Sequence, residues 1–126
     1  MQEVASTDFY RIAVDTEKNR IYQWLKGSWT RKEDVPNFVA DMQSAIRMVT
    51  GGFTMLVDLT EIKTVLVYDL WEGVMKLLVA AGISKTGDVY SDQMFTEAGT
   101  DMAARKAGFE KKNFRSRQEA EAWLDH

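Results

Sequence analysis

The chain has 126 residues and a formal net charge of −3, with a pI near 5.2, a balance that argues against general nucleic-acid binding through phosphate neutralisation. It contains no cysteine, which excludes disulfides, thiolate zinc sites and cysteine nucleophiles and agrees with a reducing compartment. Its longest apolar run, Leu77 to Ala81, is far short of the ~20 residues that cross a bilayer.

The opening MQEVASTD has no basic region followed by an apolar core, so no secretory signal is expected. Residues 1–7 read as a flexible N-terminus to a single domain spanning 1–126, with a cytoplasmic location. Asp8 to Asp15 alternates, with Tyr10, Ile12 and Val14 on one face. Arg20 to Gly27 alternates again, Ile21 and Leu25 opposing Tyr22 and Trp24. The polar turn TEKN between them makes the pair an antiparallel hairpin. Val35, Phe38, Val39, Met42, Ile46 and Val49 then recur at helical spacing as one apolar stripe. Asp34 is the expected N-cap, because it leaves Pro36 in the first turn, where a missing N–H is tolerated; Thr30 falls in a preceding turn. Gly51-Gly52 closes this helix.

Phe53 to Thr60 is apolar enough to be buried on both faces, as in the middle of a parallel sheet. An amphipathic helix follows from about Asp69, with Asp69 and Glu72 at cap and N3 positions, and Gly82 ends it. In such a β-α unit a ligand sits beyond the strand's C-terminal end, which singles out Asp58, Thr60 and the turn after them. Lys85 to Ser91 reads as a further short strand, Asp92 to Ala107 as a third helix, and Phe109 to Arg115 as a last strand. Ser116 and Glu119 form a capping box for a C-terminal helix carrying Ala120, Trp123 and Leu124. The alternation gives an α/β domain: a mixed, mostly parallel sheet with an N-terminal antiparallel hairpin and helices chiefly on one face.

The chemical inventory is thin. The single histidine is the last residue, His126, and neither phosphate-cradling glycine motif occurs. No cofactor, metal or catalytic residue is expected. Asp58 and Asp69 are the best candidates for paired-carboxylate work, with Tyr68 beside them; the plainer reading makes Asp69 a cap and Asp58 a turn-bonding side chain. Arg105, Lys106, Lys111, Lys112, Arg115 and Arg117 gather positive charge that would suit an anion or an acidic partner. Tyr22 and Trp24 share a strand face that would serve as a homodimer interface if helices leave it bare.

The run MLVDLTEI, a loop, and DLWEGVMKLLVAAG resemble the central segment of STAS domains, the SpoIIAA-like fold of anti-sigma-factor antagonists. The closing FEKKNFRSRQEAEAWL is similar to their last strand and helix, and GSWTRKEDV to a turn of the lipid-binding-like branch. The resemblance covers roughly Tyr10 to Leu124. It implies a regulatory or scaffolding module, not an enzyme. The family's antagonists are phosphorylated on a Ser or Thr at the start of the helix after the central strand; here that stretch reads Val67-Tyr68-Asp69, and Thr60 and Thr64 are the nearest hydroxyls of that kind.

The leading expectation is therefore a non-enzymatic module that binds another protein through Asp58, Thr60, Thr64, Tyr68, Asp69 and Trp71. A carrier of a small apolar molecule or lipid is the alternative: it requires a pocket of at least ~300 Å³ lined by Met55, Met75 or Met94. An enzyme using Asp58, Asp69 or Tyr68 comes third.

Overall fold

A computed structural model describes residues 1–91 and 108–126. Among the described residues, strands β1 (Gln2–Ser6), β2 (Tyr10–Asp15), β3 (Arg20–Trp29), β4 (Thr54–Val65), β5 (Lys85–Val89) and β6 (Glu110–Phe114) form one sheet in chain order. The β1–β2 and β2–β3 pairs are antiparallel and the rest parallel. Helix α1 (Phe38–Ile46) links β3 to β4, α2 (Tyr68–Ala81) links β4 to β5, and α3 (Arg117–Leu124) closes the chain. The helix expected over 92–107, with Met94, lies outside the described residues.

The first departure from the sequence reading is at the N-terminus. Residues 1–7 are not a loose tail, because Gln2–Ser6 pair along β2, from Gln2 opposite Val14 to Ser6 opposite Arg11. The Thr7 hydroxyl accepts from the backbone N–H groups of Phe9 and Tyr10, both at 3.1 Å, and turns the chain back. Val4 and Ala5 then pack on the core.

Helix α1 also starts later than expected. Asp34 does not cap it: its Oδ2 accepts from the Thr30 hydroxyl at 3.0 Å and the Arg31 N–H at 3.2 Å, organising a 3-10 turn at Lys32–Asp34. The Thr30 hydroxyl, with the Arg31 N–H and charge, holds its carboxyl below the usual carboxylate range. The α-helix begins only after Pro36, with Asn37 as N-cap. The stripe itself is real, with Val35, Phe38 and Met42 fully buried.

The sheet separates two cores. On one face α1 and α2 pack Phe38, Met42, Val74 and Leu78 onto Ile21, Leu25, Met55 and Val57. On the other, α3 packs Ala120 and Leu124 onto Tyr22, Leu56, Val89 and Phe114. Consecutive Met55, Leu56 and Val57 are all buried, as a central parallel strand requires. Gly87 of β5 permits the close approach of α3, since a Cβ there would lie 3.4 Å from both Ala120 Cβ and Phe114. Ser116 caps α3, accepting from the Glu119 N–H at 3.2 Å, as its capping-box spacing predicts.

Candidate functional site

Strand β4 outruns its expected end. Thr60 to Val65 is not a loop: it continues as strand, parallel to Lys26–Trp29 of β3. The register steps from Trp24 opposite Asp58 to Lys26 opposite Glu61, so β4 carries one extra residue there, and a second where Gly27 opposite Ile62 is followed by Ser28 opposite Thr64. Asp58 closes the first bulge, its Oδ1 accepting from the Thr60 N–H at 2.9 Å and the Thr60 hydroxyl at 2.6 Å. Its other oxygen lies 3.9 Å from Arg117 Nε. Asp58 is thus the local backbone-bonding group of the plainer reading.

Asp69 does not cap α2. Val67 holds that position, and Asp69 is an exposed first-turn residue, where its charge complements the helix N-terminus. Thr64 is exposed on β4, opposite Ser28, and Tyr68 is 70% exposed at the start of α2. Trp71 points the other way, stacked on Trp29 with ring centroids 5.4 Å apart and edge-on to Phe38 at 5.5 Å. Of the six expected site residues, only Tyr68 and Trp71 line a common cavity.

That cavity lies between α2 and the sheet and measures about 520 Å³. Its walls come from Leu59, Ile62 and Val65 of the extended β4 and from Val74, Met75 and Leu78 of α2, with Met55 and Val57 on the floor. The amphipathic period of α2 creates it: Val74 and Leu78 are buried toward the sheet, one turn apart. The polar lining is Gln23, Thr86, Asp88, Tyr90 and Lys111, from β3, β5 and β6 and the residue just past β5.

Of these polar groups the sequence singles out Lys111 alone, and as part of a basic cluster; Gln23, Thr86, Asp88 and Tyr90 were missed. Gln23 had a readable signal, because it interrupts the apolar face set by Ile21 and Leu25. It is fully buried, its Nε2 facing Met42 Sδ at 3.0 Å and Met55 Sδ at 3.5 Å, while its Oε1 accepts from no donor. Asp88 accepts from the Thr86 hydroxyl at 3.3 Å and pairs with Lys111 at 3.3 Å. With side-chain exposures of 11% and 18%, the pair neutralises its own charge within the wall.

The expected dimer face is covered. Tyr22 is 1% exposed beneath α3, so it offers nothing to a second copy. Burial, with hydrogen bonding to Glu121, pushes its phenol up to about 12. Trp24 is half-buried on Tyr22 at 5.9 Å, between the guanidinium groups of Arg11 at 4.4 Å and Arg117 at 5.1 Å. The basic residues do not share one surface either. Lys111 and Lys112 are neighbours on a strand and take opposite faces, Lys111 to Asp88 and Lys112 over the Phe114 ring at 5.5 Å. Arg105 and Lys106 lie outside the described residues.

No protein-family model matches the chain, and no curated protein matches it. A solved structure does: the crystal structure of an uncharacterized DUF3478-family protein with a SpoIIAA-like fold from Shewanella loihica PV-4, with a TM-score of 0.64. The match covers 95% of this chain and 97% of that one at 15% sequence identity. What it shows is architecture: the chain has the SpoIIAA-like α/β fold.

Proposed function

We propose that this SpoIIAA-like domain is a non-enzymatic binding module that takes a small, largely apolar molecule into the cavity between α2 and the sheet. The observation that carries this is the cavity of about 520 Å³, within the range of small-molecule sites and lined in the same way, apolar walls with a few polar groups. Met55 and Met75 line it, and their unbranched thioether side chains adapt to irregular ligands. An enzymatic reading finds little support, since Asp58 is tied to Thr60 and Asp69 is exposed.

The test is titration of the purified protein with the apolar fluorophore 1-anilinonaphthalene-8-sulfonate, beside native mass spectrometry of protein purified gently from its own source. Met75→Trp, which fills the cavity from α2, should weaken the fluorophore by about tenfold or more, equivalent to ~1.4 kcal/mol, at unchanged melting temperature. Equal binding by both proteins would remove the cavity as the site.

A protein-partner reading draws on an exposed apolar pair, of which Leu66 lies off the cavity lining and Tyr68 on it. Leu66 and Tyr68, 55% and 70% exposed, stand together where β4 passes into α2. Leu66→Ser with Tyr68→Ala would weaken such a partner without unfolding the domain. Trp71→Ala cannot separate the two effects, because Trp71 packs on Trp29 and Phe38.

A further inference from the structure

The polar wall of the cavity restricts what it can hold. From Gln23, Val57 and Asp88 the parallel register builds one row across β3, β4 and β5, so Gln23 and Asp88 stand on the same sheet face about two strand spacings, ~9.5 Å, apart. Asp88 has its countercharge in Lys111, so this pair adds no net charge to the lining. At the other end of the row the Gln23 amide is half satisfied. Its N–H₂ faces two thioether sulfurs, which accept weakly, and the reverse orientation would set a carbonyl oxygen against groups with no proton to give. Oε1 is therefore the orphan, a fully buried acceptor without a donor, and such a group is costly to leave unpaired.

We infer that the ligand is a neutral apolar alcohol, whose hydroxyl donates to Gln23 Oε1 while its hydrocarbon body fills the space beneath α2. The inference rests on the cavity reading above and adds a chemical class to it. Oε1 itself is closed off from the cavity, and Met55, which lines the cavity and touches the same amide through its nitrogen, must move for the hydroxyl to reach it. A carboxylate is disfavoured because its charge would be desolvated against an acceptor oxygen. An ether or hydrocarbon leaves Oε1 unpaired.

Calorimetric titration of the full chain with 1-decanol, decyl methyl ether and decanoate, at a pH where decanoate is ionised, tests this. Wild-type protein should bind 1-decanol about tenfold tighter than the ether, the yield of one buried hydrogen bond, and decanoate most weakly. Gln23→Met should keep the ether and lose the preference for the alcohol. Because that variant replaces an unpaired polar group with an apolar one, it should melt no lower than wild type; Gln23→Leu serves if it fails to fold. Equal binding of alcohol and ether, a preference that survives in the variants, or a preference for decanoate would overturn the inference while leaving the cavity as a site. Absence of binding by all three probes would overturn the cavity reading itself.

Discussion

Tyr10 gathers several demands in one side chain. Its ring packs edge-on to Phe38 at 5.0 Å and tilted to Trp29 at 5.8 Å, while its hydroxyl donates to Asp41 Oδ2 at 2.5 Å. Burial first, and then the bond to the Asp41 carboxylate, raises its pKa well above the ordinary phenol value. Tyr22 is raised in the same direction, to about 12. A phenol whose pKa is higher in the folded than in the unfolded state stabilises the fold fully below the unfolded value of about 10, and the contribution is lost as pH rises through the folded value. The tyrosines should therefore leave the urea midpoint steady from neutral pH up to about pH 10 and lower it beyond. Tyr10→Phe should lower stability by ~1–2 kcal/mol at neutral pH, as expected for a hydrogen bond to a charged group, and make the alkaline fall shallower. An identical alkaline slope in wild type and variant would show that Tyr10 does not carry it. Residue chemistry of this kind was hidden in the sequence, since Tyr10 and Asp41 are brought together only by the packing of α1 on β2. Gln23 was legible in principle, as a polar residue on an apolar strand face; its unpaired oxygen was not.

At the scale of elements, periodicity located the β4–α2–β5 unit and glycine located its turns, while boundaries moved wherever tertiary pairing overrode local signals. The capping-box spacing of Ser116 and Glu119 was decisive because both partners lie within one helical turn. Asp34 misled because its side chain found Thr30 and Arg31 first. Thr60 to Val65 looked like a loop because the β-bulge at Asp58 breaks the strand period. Gly82 shows a local signal that held: it ends α2 in the left-handed region at φ 94°, and a Cβ there would lie 3.1 Å from Gly51 Cα. Its carbonyl also accepts from the Gly52 N–H at 2.8 Å, so the ends of α2 and of the turn before β4 are locked together. Gly82→Ala adds both strain and crowding, and should lower stability by more than the ~1 kcal/mol of the left-handed conformation alone. Chemical denaturation measures this; a loss under half that size would mean that the two turns separate easily.

Across the whole molecule, the sheet was legible as mixed and mostly parallel, but the closure of its second face was not. Nothing local in RQEAEAWL says which side of the sheet it will cover; that follows from Gly87 opening space over β5 and from Arg20 on β3. Arg20 is 2% exposed, donates from Nε to Thr54 Oγ1 at 2.8 Å, and reaches Glu121 and, at 3.0 Å, Asp125 on and just beyond α3. One guanidinium thereby ties the N-terminal hairpin, the central strand and the C-terminal helix, and its planar fork suits two carboxylates at once. The hydrogen bond from Arg20 holds the Asp125 carboxyl below its ordinary value. A carboxylate depressed in this way stabilises the fold above the unfolded value of about 4 and ceases to do so as pH falls through its folded value. Arg20→Met preserves the packing stem and removes the fork. It should cost about 1–3 kcal/mol at neutral pH through lost charge-assisted hydrogen bonds, return the Asp125 titration toward that of a free aspartate, and flatten the acid side of the stability curve. Carboxyl-carbon NMR titration of Asp125 and urea unfolding across the acid range read the two effects separately. If Asp125 titrated alike in both proteins, the docking of α3 would rest on Ala120 and Leu124 against Tyr22 and Leu56, with Arg20 serving only to fill space.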